Sequence, residues 1–172
     1  MLWKLRLFWY RADKTGLAVA IWFVVVVGGL LFGLQGVYAY RDTEMARVRE
    51  FHAQSVDCLA RNVYYEARGE SLLGQYAVAE VTMNRRNALG YPKTVCEVVY
   101  QRDAFSWTAL ANLDAPDGDA WRRAGKVAQD VYYQRRPAEL HGVLHYHATY
   151  VQPEWSKEKE RVARIGRHVF YR

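Results

Sequence analysis

The chain has 172 residues, enough for one domain plus an appendage, with 24% charged residues and a net charge of +6. Half the residues are apolar, with only 4 Pro and 12 Gly, which excludes a disordered or low-complexity polymer. Two Cys are too few for a disulfide scaffold or a Cys-rich zinc module. The aromatic fraction of 15% suits either stacking on flat ligands such as sugars or bases, or an ordinary aromatic core.

Residues 17–34 carry no charge, and the charge-free stretch extends to Tyr40. A membrane helix needs about 20 mostly apolar residues, so 17–40 reads as a transmembrane signal-anchor. Lys4, Arg6, Arg11 and Lys14 before it are expected to keep residues 1–16 in the cytoplasm. Trp3, Trp9, Tyr10, Tyr38 and Tyr40 suit the two interfaces. A cleavable signal with a site near Val37-Tyr38-Ala39 is the rival, although the apolar run is longer than a signal core of about 7–15 residues. Either way the remainder is expected outside the cytoplasm, in the periplasm or beyond an inner membrane. That remainder carries +3, too weak and dispersed for nucleic acid.

Residues 41–56 read as a charged, helix-compatible stalk, and 57–172 as the folded domain. Asp57 is expected to cap a helix with Leu59, Val63, Glu66 and Ala67 on one face, stopped by a left-handed Gly69. A second helix is expected over Ser71–Ala88, with Leu73, Ala77, Val81 and Asn84 aligned and Thr82 beside them. Tyr91-Pro92 breaks the chain, Thr94–Tyr100 gives one or two helical turns, and 101–118 reads as a loop with turn chemistry at 114–118. A third helix is expected from an Asp119 cap to Pro137. His141–Tyr150 and Val162–Tyr171 are β-like and able to pair as a ribbon. The fold class is α+β, mainly helical, with a small antiparallel β ribbon.

Glu66 is the candidate catalytic residue. Burial on the helix stripe and the negative end of the helix dipole both disfavour its ionised form, and a carboxyl still protonated near neutral pH is what protonates a glycosidic oxygen. The competing reading is a half-buried carboxylate paired with Arg61 or Arg85.

The run from Cys58 to Arg85 (CLARNVYYEARGESLLGQYAVAEVTMNR) resembles the signature of the SleB-like, spore-cortex-lytic cell-wall hydrolases. So do Tyr91–Tyr100, Ala104-Phe-Ser-Trp107, His145-Tyr-His-Ala148, Pro153-Glu-Trp155 and Ile165–Tyr171, so the likeness covers 57–172 in order. The resemblance implies a lysozyme-like catalytic domain that cuts peptidoglycan glycan strands between MurNAc and GlcNAc, with the Glu of the Glu-Ala-Arg motif, Glu66, as acid. It implies a lytic transglycosylase that leaves a 1,6-anhydro product and needs no cofactor. The sporulation proteins' wall-binding repeats are absent here and an anchor stands in their place, which favours a periplasmic or phage-type lytic enzyme.

Tyr146 and Trp155, then Phe105 and Trp107, are candidates to line a glycan groove, and Thr82 and Asn84 to orient the carboxyl or bind an acetamido group. Core packing competes for each. A second carboxylate is not identified; Glu70, Glu80 and Glu97 are the candidates. His141, His145 and His147 raise the alternative of a metal-dependent amidase or peptidase on the same wall, and a non-catalytic wall-binding module is a third class. Cys58 and Cys96 are either a disulfide or two buried thiols. The expected partners are glycan strands and the membrane, with the chain a monomer or part of a lysis or envelope assembly.

Overall fold

The computed structural model describes residues 14–110, 113 and 116–172. The expected cytoplasmic segment up to residue 13, with Trp3, Trp9 and Tyr10, lies outside them, as does part of the expected turn at 114–118. The chain divides into two units, residues 1–49 and 50–172.

Helix α1 spans Lys14–Ala67. In the first unit, Ile21, Trp22, Phe23, Val24, Leu30 and Phe32 are all exposed. This stretch is long and apolar enough to cross a membrane, and a helix apolar all round needs an apolar medium. The expected helix start at Asp57 does not occur. Residues before it are already helical, so Asp57 has no free N–H groups to cap and instead accepts from Arg61 Nε at 2.7 Å, one turn on.

In the second unit α1 ends at Ala67, and Gly69 follows in a turn without a positive φ. The expected left-handed cap is therefore corrected: glycine serves there for space, because a Cβ would lie 3.1 Å from Arg167 Nη2. Helix α2, Leu72–Asn87, starts on Ser71, whose hydroxyl accepts from Gly74 N. Apolar and small residues surround α2, so it is buried on nearly every side. Its Ala79 and Met83 join Leu59, Val63, Val95, Val99, Val127 and Val131 in one cluster. Its Ala77 and Val81 join Leu140, Val143 and Phe170 in another.

Short helix α3, Val95–Val99, is opened by a reciprocal Thr94–Glu97 capping box. The loop beyond it contains a 3-10 turn, Ser106–Ala109. Helix α4 spans Gly118–Tyr132 from Asp117, so Asp119 sits in its first turn rather than capping it. It ends before Pro137 because the chain turns left-handed at Gln134, φ 53°. The sulfurs of Cys58 and Cys96 are bonded, with Cα atoms 5.3 Å apart, and tie α1 to α3.

The expected two-strand ribbon is a three-stranded antiparallel sheet: β1 (His145–Ala148), β2 (Arg161–Ile165) and β3 (His168–Tyr171), in the order β1-β3-β2. Val162–Tyr171 is a hairpin because Gly166, at φ +57°, folds the chain back. β3 is the central strand and fully buried.

Candidate active site

Glu66 stands in the last turn of α1, half-buried. One oxygen, Oε2, accepts a hydrogen bond of 3.0 Å from the Tyr146 hydroxyl. Burial raises the Glu66 pKa, while the Tyr146 bond and the charge of Arg85 pull it back, leaving it above the ordinary glutamate value. Glu66 makes no ion pair among the described residues. Arg61 is taken by Asp57, and Arg85 donates from Nε to Leu144 O at 2.8 Å.

β1 places Tyr146 because alternate residues of a strand face opposite ways. Tyr146 packs against the two core clusters, whereas His145 and His147 lie against Trp155. The Tyr146 ring packs on Phe170 at 5.6 Å and edge-on to His168 at 5.1 Å. Burial, then the neighbouring Glu66, push its phenol well above its usual range, so it remains a donor.

A cleft of about 320 Å³ opens beside this pair, lined by Arg85, Arg102, Asp103, His145, Tyr146 and Trp155 among others. Arg85 is held between Tyr91 and Phe105, 5.9 and 5.2 Å from the ring centres. Trp155 packs against His145, His147 and Tyr171 at 5.5, 5.7 and 5.5 Å. Burial, then the charges of Lys159 and Arg85, lower the His145 pKa to about 4, so its imidazole is neutral at physiological pH. The cleft thus offers one phenol, aromatic surface, two guanidinium groups and the Asp103 carboxyl, and the raised carboxyl of Glu66 is bonded to the Tyr146 that lines it.

Of the sequence candidates, Tyr146 and Trp155 line the cleft. Thr82 is fully buried, accepting from Asn62 Nδ2 and donating to Val78 O, so it does not face a ligand. Asn84 donates to Leu140 O and Val143 O at 2.6 and 3.0 Å, so its amide fixes the approach to β1 rather than reaching the carboxyl. Phe105 is buried beneath Arg85. Trp107 is buried, donates to Asn62 Oδ1 at 3.0 Å and stacks on Tyr65. None of these four lines the cleft.

The candidate second acids are engaged elsewhere. Glu80 accepts from Glu139 N and Leu140 N, each at 2.9 Å. Glu97 closes the α3 capping box. Glu70 pairs with Arg167 Nε at 2.7 Å. The histidines are not gathered as ligands: His147 Nε2 meets the Tyr171 hydroxyl and Nδ1 meets Ala148 O, each at 2.9 Å, and His141 is exposed. No cluster of three His, Cys, Asp or Glu side chains fit for a metal occurs among the described residues. Sequence reasoning missed Arg85 and Arg102 as cleft residues, since nothing in helical spacing or loop composition announces them.

A mainly helical domain with a raised carboxyl bonded to a tyrosine of an aromatic, cationic cleft has the ingredients of a glycan-cleaving enzyme. The profile of the Cell Wall Hydrolase family matches residues 69–171, beginning three residues after Glu66. The chain belongs to that family of enzymes.

It is 30% identical over 124 residues to the spore cortex-lytic enzyme of Bacillus subtilis, an alignment covering 70% of this chain and 38% of that one. It is 30% identical over 133 residues to that of Oceanobacillus iheyensis, covering 74% and 45%. The chain therefore spans less than half the length of these curated relatives. Its fold matches the crystal structure of the catalytic domain of Bacillus cereus SleB, with a TM-score of 0.57 and 27% identity over 69% of this chain and 89% of that one. It also matches the catalytic domain of the germination-specific lytic transglycosylase SleB from Bacillus anthracis, with a TM-score of 0.59 and 28% identity over 69% and 93%.

Proposed function

We propose that the domain cleaves peptidoglycan glycan strands between MurNAc and GlcNAc as a lytic transglycosylase, with Glu66 as its one acid and base. The observation that carries this reading is the Glu66 carboxyl. It is half-buried and raised in pKa, free of any ion pair among the described residues, and hydrogen-bonded on a single oxygen. The likeness to a solved lytic transglycosylase domain supports the same chemistry.

Glu66 gives its proton to the bridging oxygen as the C1–O bond breaks, and GlcNAc leaves as an alcohol. The sugar's own acetamido oxygen shares the positive charge at C1. The Glu66 carboxylate, steadied by the Tyr146 hydroxyl, then takes the proton of the MurNAc C6 hydroxyl while that oxygen bonds to C1. The 1,6-anhydro ring closes and Glu66 is protonated again, so no second carboxylate is required. Arg85 and Arg102 give the cleft a cationic character suited to a carboxylate-bearing glycan. Trp155 offers a ring face to sugar C–H groups.

In the same reading, residues 17–40 anchor the chain in the inner membrane, 41–56 form a stalk whose end, from residue 50, already packs in the domain through His52 and Tyr132, and the domain works in the periplasm or outside, alone or within an envelope assembly. Digestion of purified sacculi followed by mass analysis tests the chemistry. Anhydro-muropeptides are expected. Reducing ends alone would overturn the ring closure, and uncut glycan would overturn the reading entirely.

A further inference from the structure

Four residues after Glu66, the chain is riveted to the tip of the β2–β3 hairpin. The Glu70 side chain is only 5% exposed. It accepts from Arg167 N at 3.1 Å through Oε2 and from Arg167 Nε at 2.7 Å through Oε1. Burial works against its charge, but the two Arg167 bonds outweigh burial and hold the carboxyl below the ordinary range. The turn carrying Glu70 is itself fixed, with Glu70 N donating to Ala67 O and Gln75 Nε2 donating to Glu70 O.

Two glycines make room for this contact. Gly166 is left-handed, and a Cβ there would collide with Glu70 Oε2. A Cβ at Gly69 would crowd Arg167 Nη2 at 3.1 Å. Arg167 also carries the contact onward: its carbonyl accepts from Thr149 N at 2.8 Å, just past the end of β1. β1 holds Tyr146, whose ring lies against His168, the residue after Arg167.

We propose that Glu70 is a positioning residue: with Arg167 it closes a circuit from the end of α1 through the hairpin tip and β1 that holds the Tyr146 hydroxyl on Glu66. The proposal rests on the reading of Glu66 as the acid, and it assigns Glu70 no contact with substrate. The hydroxyl bond favours the ionised form of Glu66. Slackening the circuit weakens that bond and raises the Glu66 pKa, as deletion of the hydroxyl does.

The test is a carbon-13 titration of glutamate carboxyls in the full chain in detergent micelles, with Glu66 assigned by its disappearance in Glu66→Gln. Tyr146→Phe is expected to raise the Glu66 midpoint by about one pH unit. Glu70→Gln and Arg167→Gln are expected to raise it by about half as much. The two variants attack opposite ends of the pair, so one that fails to fold leaves the other to report. The alkaline limb of glycan cleavage should move upward with the midpoint in each. An unmoved midpoint in the latch variants, with Tyr146→Phe shifted, would overturn the positioning role, leaving Glu70 a purely structural residue. An unmoved midpoint in all three would overturn it as well. Lysis retained by Glu66→Gln is the distinct result that defeats the parent reading.

Discussion

Glu66 and Glu70 sit one helical turn apart in sequence, and the fold treats them oppositely. Glu66 receives one phenolic donor and the charge of Arg85, but burial dominates and its pKa rises. The Glu70 side chain is also enclosed but receives two donors from one arginine, so its pKa falls. The contrast shows that burial alone does not raise the pKa of a carboxyl. What matters is burial without enough donors to compensate the charge. Glu66 keeps a raised carboxyl, and Glu70 ties the end of α1 to the hairpin tip.

Both carboxyls depend on the end of α1 staying in place, and the bridge between Cys58 and Cys96 braces that helix about two turns before Glu66. Reducing it, or replacing Cys96 with Ser, should destabilise the fold by about 3–4 kcal/mol through the freed unfolded chain. Thermal unfolding with and without reductant measures this. The opposite characters of the two glutamates should survive wherever the reduced protein remains folded.

A smaller effect separates the pair by sign. Glu70 has a depressed pKa, so its contribution is present above the ordinary glutamate range and lost as pH falls through its folded value. Glu70→Gln should therefore melt below wild type at neutral pH, by about 1 kcal/mol or somewhat more. Glu66 has a raised pKa, so its contribution is present in acid and lost as pH rises through its folded value. Glu66→Gln should melt slightly above wild type at neutral pH, by about 0.5–1 kcal/mol. Both differences should shrink together in acid, where the two glutamates are protonated folded or unfolded. Melting curves between neutral and acidic pH check the signs, and two shifts in the same direction at neutral pH would erase the contrast.

Much of this arrangement was legible in the chain. The period of Leu59, Val63, Glu66 and Ala67 places Glu66 on an inward stripe, and the Glu-Ala-Arg resemblance singles it out as the acid. Alternation in residues 145–148 puts Tyr146 opposite His145 and His147. Other features needed three dimensions. Thr82 and Asn84 share a helix with cleft-lining Arg85, yet their partners Asn62, Leu140 and Val143 come from distant segments, and helical spacing names faces, not what covers them. Asp57 looked like a cap because its residue type is right, but a cap requires a helix that begins there, and α1 is already underway. The Glu70–Arg167 pair spans 97 positions, and only the closed sheet brings the hairpin tip to the turn. Gly166 carries the trace of that pair in sequence, as a residue that can take a positive φ and leave room for a carboxyl.

The central claim is that the Glu66 carboxyl donates and recovers the proton at the sugar linkage, and Glu66→Gln tests it most directly. Glutamine keeps the shape and still accepts from the Tyr146 hydroxyl, but has no carboxyl proton to give. With folding checked by melting, release of soluble muropeptides from sacculi should fall by about 10²–10⁴-fold relative to wild type. Release at the wild-type rate by the folded variant would contradict the account.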